Sequence, residues 1–119
     1  MLKIQQYSFV CAPSVLQAGI SKAVAFDCKE ILESYKKRRD FLCDCLKNKY
    51  SFIKSSGSFY LFPEAPGGKG QEFVEKCIKN NLLVVPGNVF SRADTHFRIS
   101  FSAPMETLRR GVEVLNSLA

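Results

Sequence analysis

The sequence predicts an α+β domain in which a mostly antiparallel sheet is covered by helices. Apolar residues recur at helical spacing in the first part of the chain, short apolar or alternating segments follow, and an amphipathic helix comes last. At 119 residues, of which 46% are hydrophobic, the chain has the length and composition of one domain with its own core. The predicted order is helix, hairpin, helix, strand, strand, helix.

Helices are predicted at residues 14–26 and 29–49, after a lead-in at 1–13. Ser14 has the residue type of an N-cap, and the apolar residues after it fall at helical spacing. No proline or glycine separates the two helical stretches. One long, bent helix is therefore compatible with the sequence.

A hairpin and a third helix are predicted in the middle of the chain. Residues 50–54 and the aromatic segment 58–62 are typical of strands, and Ser-Ser-Gly at 55–57 supplies turn chemistry between them. A loop at 63–70 contains two prolines and three glycines. It precedes an amphipathic helix at 71–80.

Two further strands are predicted at 82–85 and 96–102. The first is a short apolar run, expected to be buried. The second alternates, so that phenylalanine and isoleucine share one face while Arg98 lies on the opposite, polar face. Pro104 then marks the first turn of the last helix.

Composition limits the classes of function. The net charge of +6 favours acidic partners in general, but the basic residues are dispersed, and the densest run, at 36–39, is typical of a solvated helix face.

Five cysteines, an odd number, fit a reducing compartment. With one histidine, no metal site is expected. No apolar run approaches the roughly 20 residues that span a bilayer, so no membrane partner is expected.

Few residues could carry chemistry. Arg98 lies in a strand, and a guanidinium grips a carboxylate with two parallel hydrogen bonds. The glycine-rich segment 66–70 lacks the Walker spacing and is expected to be a surface loop. Nothing places a nucleophile beside His96. Gly57 and Gly87 stand where turns are expected to need a positive φ.

Four sequence blocks carry a resemblance to a known family. They are Tyr35…Arg38-Arg39-Asp40-Phe41-Leu42, Ser56-Gly57-Ser58-Phe59-Tyr60-Leu61-Phe62-Pro63, Val84-Val85-Pro86-Gly87…Phe90 and Phe97-Arg98-Ile99-Ser100-Phe101. In order and spacing they resemble the C-terminal part of class I/II aminotransferases, the fold-type I pyridoxal-phosphate enzymes related to aspartate aminotransferase. The resemblance covers nearly the whole chain.

The resemblance implies the family's small C-terminal domain. Residues 1–13 would be the crossing segment from a large domain that is missing here, and 14–119 the small domain itself. The implied partners are that large, cofactor-binding domain, an amino-acid or 2-oxo-acid substrate and, for the full-length enzyme, a second copy in a homodimer. A cytoplasmic location is expected.

The resemblance also assigns site residues. Arg98 is implied to bind the α-carboxylate of the substrate. The loop that contains Pro86, Gly87 and Phe90 is implied to border the mouth of the site. Arg92, near that loop, is a candidate second arginine for a dicarboxylate substrate.

No catalytic or cofactor-binding residue is expected in this chain. The family's Schiff-base lysine lies in a Ser-x-x-Lys context on the large domain, and no such context precedes the crossing segment here. Pyridoxal phosphate is therefore expected in the full-length enzyme but not bound to this chain, which is expected to be inactive alone.

Two alternatives remain open at the level of sequence. The same domain occurs in fold-type I lyases, synthases and decarboxylases, because a fold does not determine chemistry. The chain could also be a stand-alone basic module that uses its +6 charge on nucleic acid, although the aminotransferase interpretation predicts no nucleic-acid partner.

Overall fold

The alternating strand that carries Arg98 lies at the centre of the sheet. A computed structural model describes residues 1–8 and 11–119. Within these residues it has five α-helices and three strands, which confirms the α+β prediction. The helices are α1 (Leu2–Ser8), α2 (Ser14–Val24), α3 (Lys29–Leu46), α4 (Gly70–Lys79) and α5 (Met105–Leu118); the strands are β1 (Tyr60–Leu61), β2 (Val85–Pro86) and β3 (Phe97–Ser100).

The sheet is antiparallel throughout, with the order β1-β3-β2. Tyr60 pairs with Ser100 on one side of β3. Val85 pairs with Arg98 on the other side. All three strands belong to the larger of two compact units, which comprise residues 1–30 and 31–119.

The unit of residues 1–30 differs from the sequence prediction at two points. The helix α1 was not predicted, and residues 9 and 10 of the predicted crossing segment 1–13 lie outside the described residues. The prediction of Ser14 as an N-cap is wrong, because Pro13 holds that position and Ser14 is the first helical residue. Neither α1 nor α2 has a buried residue.

The two predicted helical stretches form two separate helices, and the alternative of one long, bent helix is not realised. The helix α2 ends at Val24 and α3 begins at Lys29. Asp27 accepts a 2.9 Å hydrogen bond from the backbone N–H of Lys29 through its Oδ1 atom. A short acidic side chain that satisfies a free N–H group at a helix start favours a new helix over continuation of the old one.

The predicted hairpin does not form. Residues 50–54 are not a strand, and β1 pairs with β3 instead. The ring of Tyr50 packs 5.8 Å from that of Phe97, and its hydroxyl donates a 2.6 Å hydrogen bond to the carbonyl oxygen of Leu115. Burial of this ring with its polar group satisfied outweighs the propensity of the segment to form a strand.

The core lies beneath the apolar face of β3. Phe97 is fully buried and its ring centre is 4.7 Å from that of Phe73 on α4. The buried residues of α5 complete the core from one side. Those residues are Leu108, Val112 and Leu115.

The predicted buried strand at 82–85 is correct only in part. Val84 is buried, but the side chain of Leu83 is 85% exposed and β2 begins at Val85. Asn81, with a φ of 58°, ends α4 in the left-handed conformation that commonly terminates helices. In the described part of the chain, every helix is too short or too polar to cross a bilayer.

Candidate functional site

Arg98 lies on the outward face of β3 because its strand neighbours are in the core. Phe97 and Ile99 are buried, whereas Arg98 is half-buried. Side chains alternate between the faces of a strand, so burial of these neighbours turns the guanidinium away from the core. The alternation predicted from the sequence is confirmed here.

Two aromatic rings flank the Arg98 guanidinium. The Cζ atom of Arg98 lies 4.2 Å from the ring centre of Tyr60 and 4.4 Å from that of Phe90. The positive charge is attracted to the negative face of each ring. Within residues 1–8 and 11–119, Arg98 forms no ion pair with an acidic side chain. The positive charge of Arg98 is therefore available to an anion that is not part of the described residues, such as a bound ligand.

A short 3₁₀ turn at Gly87–Val89 carries Phe90 to Arg98. Backbone N–H groups of Phe90 and Ser91 both donate to the carbonyl oxygen of Gly87, at 2.9 and 3.1 Å. Pro86, just before the turn, pairs with Phe97 in the sheet. The three residues predicted as a site-bordering loop thus form the end of β2, the turn and the aromatic residue that follows it.

The prediction of a positive φ at Gly87 and Gly57 is wrong. Among the described glycines only Gly67 and Gly68 have a positive φ. Gly87 is required for space instead, since a Cβ atom there would stand 2.7 Å from the carbonyl oxygen of His96. At Gly57 a Cβ atom would meet open space, and the left-handed residue of that turn is Ser58, with a φ of 64°.

A second aromatic contact adjoins this site. Phe62 packs edge-on against Phe90, with ring centres 6.3 Å apart. Phe62 also stacks on His96 at 5.1 Å with nearly parallel rings. The Nε2 atom of His96 is 4.0 Å from Glu64. The Nδ1 atom of His96 is 2.8 Å from the hydroxyl oxygen of its neighbour Thr95. The sole histidine is therefore engaged by a ring, a carboxylate and a neighbouring hydroxyl group.

The groups with displaced pKa values lie elsewhere. Hydrogen bonds from Arg39 and Lys54 lower the pKa of Asp40, and a hydrogen bond to Glu72 raises the pKa of Lys69. Burial raises the pKa of the Cys77 thiol to about 11. These effects stabilise or destabilise charges in the fold; none creates an acid or base beside Arg98.

The residues of this chain do not fit a cofactor site of the pyridoxal-phosphate type. Such a site needs an enclosed lysine amine for the Schiff base, but every lysine here is exposed. In the described ranges there is also no cluster of three His, Cys, Asp or Glu side chains that could hold a metal ion. What the arrangement offers is anion binding by Arg98.

Comparison with known proteins agrees with the resemblance. The family model for aminotransferase class I and II matches residues 2–115. The chain belongs to the class I and II aminotransferase family. With this membership, the alternatives of a lyase, synthase or decarboxylase and of a stand-alone basic module are not favoured.

The relatives of this aminotransferase-family chain are longer than it is. A probable aspartate aminotransferase of Methanocaldococcus jannaschii is 32% identical, with 99% of this chain matched to 33% of the relative. A probable N-acetyl-LL-diaminopimelate aminotransferase of Bacillus subtilis is 36% identical, with 97% matched to 31%. The chain spans about a third of the length of these relatives.

A solved structure shows the same arrangement of elements. The crystal structure of the aspartate aminotransferase of Thermotoga maritima is 27% identical in sequence and superimposes with a TM-score of 0.83. The match covers 97% of this chain and 31% of the T. maritima chain. The fold therefore matches part of an aspartate aminotransferase.

Sequence reasoning did not find Tyr60 as a residue of this site. Because Tyr60 pairs with Ser100, and Ser100 lies two residues from Arg98, the three side chains share one face of the sheet. That signal depends on knowing that β1 pairs with β3. Arg92, the candidate second arginine, is exposed in the segment after Phe90.

Proposed function

We propose that this chain is the substrate-carboxylate-binding part of a pyridoxal-phosphate-dependent aminotransferase. The parent enzyme would transfer an amino group between an amino acid and a 2-oxo acid. Family membership supports the class of reaction. The observation that carries the proposal for the site is Arg98, an outward-facing cation between two rings with no ion pair in the described part of the chain.

Arg98 would bind the α-carboxylate through two parallel hydrogen bonds. The N–H groups of a guanidinium lie in its plane, so a ring that contacts a face of the guanidinium would leave these donors available. A carboxylate held in this way orients the Cα–H bond of the substrate, and such orientation lowers the barrier of the step that breaks it. Pro86, Gly87 and Phe90 would border the mouth of this site.

The cofactor would be held outside this chain. Pyridoxal phosphate supplies the electron sink for amino-group transfer, and the exposed lysines here do not provide its anchoring amine. Residues 1–13 would cross from a large cofactor-binding domain, and residues 14–119 would be the small domain. On this proposal the chain has no aminotransferase activity alone, and the full-length enzyme is a homodimer.

A cytoplasmic location is part of the proposal. All five cysteines are free, including the exposed Cys11 and Cys28. Free exposed thiols are common in reducing compartments and uncommon in secreted proteins. This observation supports a cytoplasmic enzyme.

Arg98→Ala and Arg98→Lys in the full-length enzyme test the function. With L-aspartate and 2-oxoglutarate as substrates, Arg98→Ala should raise KM by roughly 10- to 100-fold, the size of charge-assisted hydrogen bonds. Arg98→Lys should restore little, because an ammonium lacks the planar pair of donors.

Arg110→Ala is the matched control, since it removes the same charge from an exposed position on α5. It should leave KM near the wild-type value. If Arg98→Ala behaves like Arg110→Ala with both substrates, Arg98 does not bind the α-carboxylate and the proposed site is wrong.

A further inference from the structure

The two rings that flank Arg98 come from distant parts of the chain. Tyr60 lies in β1, and Phe90 follows the 3₁₀ turn after β2. Each strand pairs with β3, which carries Arg98 between them. The sheet order β1-β3-β2 therefore brings one ring to the guanidinium from each side of the central strand. We call Tyr60 and Phe90 the aromatic bracket.

The aromatic bracket acts on the orientation of the guanidinium. An arginine side chain without a partner samples many rotamers. Binding of a carboxylate restricts it to a few of them, and this loss of conformational entropy weakens binding. Rings at 4.2 and 4.4 Å from Cζ favour the orientations that stack the cation on their faces. A guanidinium whose plane lies along such a ring keeps its in-plane donors free for a carboxylate.

Each ring of the bracket is itself held in place. The ring of Tyr60 packs 4.3 Å from that of Phe59. Phe90 is held by the hydrogen bond from its N–H group to Gly87 and by the edge of Phe62 at 6.3 Å. Phe62 in turn stacks on His96. The bracket is thus supported by neighbouring aromatic side chains and not by Arg98 alone.

We infer that Tyr60 and Phe90 are positioning residues, which preorganise the Arg98 guanidinium to receive the α-carboxylate edge-on. This inference rests on the proposed function of Arg98. It adds that carboxylate affinity depends on two residues that need not touch the carboxylate. Preorganisation raises affinity because the ordering cost is met before the ligand arrives.

Tyr60→Leu and Phe90→Leu in the full-length enzyme test the inference. Each should raise KM for L-aspartate and 2-oxoglutarate by roughly 2- to 30-fold, the range of one cation–π contact, and lower kcat by a smaller factor. Tyr60→Phe keeps the ring face and should restore most of the affinity lost in Tyr60→Leu. A purely structural defect would not depend on the ring in this way.

Phe41→Leu is the control, because it removes another cation–π contact, which joins Phe41 on α3 to Arg109 on α5 at 5.0 Å. Its KM should stay close to that of the wild type. If Arg98→Ala raises KM but both bracket variants match Phe41→Leu, the proposed function stands and the inference is wrong. If Arg98→Ala itself has no effect, the proposed function fails first.

A second measurement needs no activity. In the 119-residue chain, NMR relaxation of the Arg98 Nε–H group should give an order parameter well above about 0.6, and Phe90→Leu should bring it below about 0.6. Dispersed backbone amide signals would show that the variant is folded. An Arg98 side chain that is equally ordered in folded Phe90→Leu, or already disordered in the wild type, would overturn the inference.

Discussion

The backbone N–H group of Gly87 donates a 2.7 Å hydrogen bond to the carbonyl oxygen of His96. This bond joins the start of the turn that carries Phe90 to the residue before β3. The two backbones approach so closely that a Cβ atom at position 87 would also stand 3.2 Å from the Phe62 ring. The geometry around Arg98 therefore depends on a residue without a side chain.

Gly87→Ala should destabilise the fold by about 1–3 kcal/mol, the usual cost of forcing atoms into a packed region. Urea unfolding at neutral pH measures the change. Gly57→Ala is the control, because its new methyl group would meet open space. A Gly87→Ala variant as stable as Gly57→Ala would contradict the close approach.

Tyr50→Phe should lower the free energy of unfolding by about 1–2 kcal/mol. The substitution removes a buried hydrogen bond and leaves the carbonyl oxygen of Leu115 without this donor. The lost bond joins the segment after α3 to the Leu115 carbonyl group in the last turn of α5. The phenylalanine ring preserves packing on Phe73 and Phe97. Equal stability of the two proteins would show that this bond contributes nothing to the fold.

The cysteines should react with a thiol reagent in an order set by burial. Cys11 and Cys28 are exposed and should be labelled first. Cys43 and Cys77 are buried, so they should react only when the structure around them opens by local unfolding. Mass spectrometry of peptides from timed samples measures the order. Labelling of Cys77 as fast as Cys28 under native conditions would contradict the placement of α4 in the core.

Stability should fall at alkaline pH because of Cys77. Burial raises the pKa of this thiol from 9.0 to about 11, so the native state holds its proton more tightly than the unfolded state does. Its contribution is complete below pH 9 and is lost as pH rises toward 11. Tyr50, whose pKa burial also raises, adds to the loss above pH 10.

Urea unfolding at intervals from pH 8 to 11, with a reductant present, measures this dependence. Cys77→Ala should flatten part of the slope, although it lowers stability at all pH values by leaving a cavity. Cys28→Ala, which changes an exposed thiol, should keep the wild-type slope. The same slope in Cys77→Ala and Cys28→Ala would show that Cys77 is not the source.

The sequence predicts the parts of the fold that depend on periodicity. Alternation around Arg98 correctly predicts the strand β3 and the outward direction of the guanidinium, because a strand has only two faces. Helical spacing gives α4 and α5 nearly to their ends. The site residue chosen from the sequence lies where that pattern places it, and its role in substrate binding stays a prediction.

The errors arise where distant contacts outweigh local pattern. The segment of Tyr50 has strand propensity, but burial of its ring beside Phe97 decides its conformation. The sequence predicts that segment as the partner of β1, whereas β1 pairs with β3. Tyr60 was consequently missed beside Arg98. No local signal in the sequence specifies this long-range pairing.

The strand that carries Arg98 also supplies Phe97 and Ile99 to the core. A shift of β3 by one residue would bring the cation inward and turn both apolar side chains toward water. Burial of Phe97 and Ile99 by the hydrophobic effect therefore also determines that Arg98 faces outward, and no further interaction is needed for this. The exposed segment around Phe90 can therefore change in sequence more freely than the central strand, where substitution of Phe97 or Ile99 affects the core.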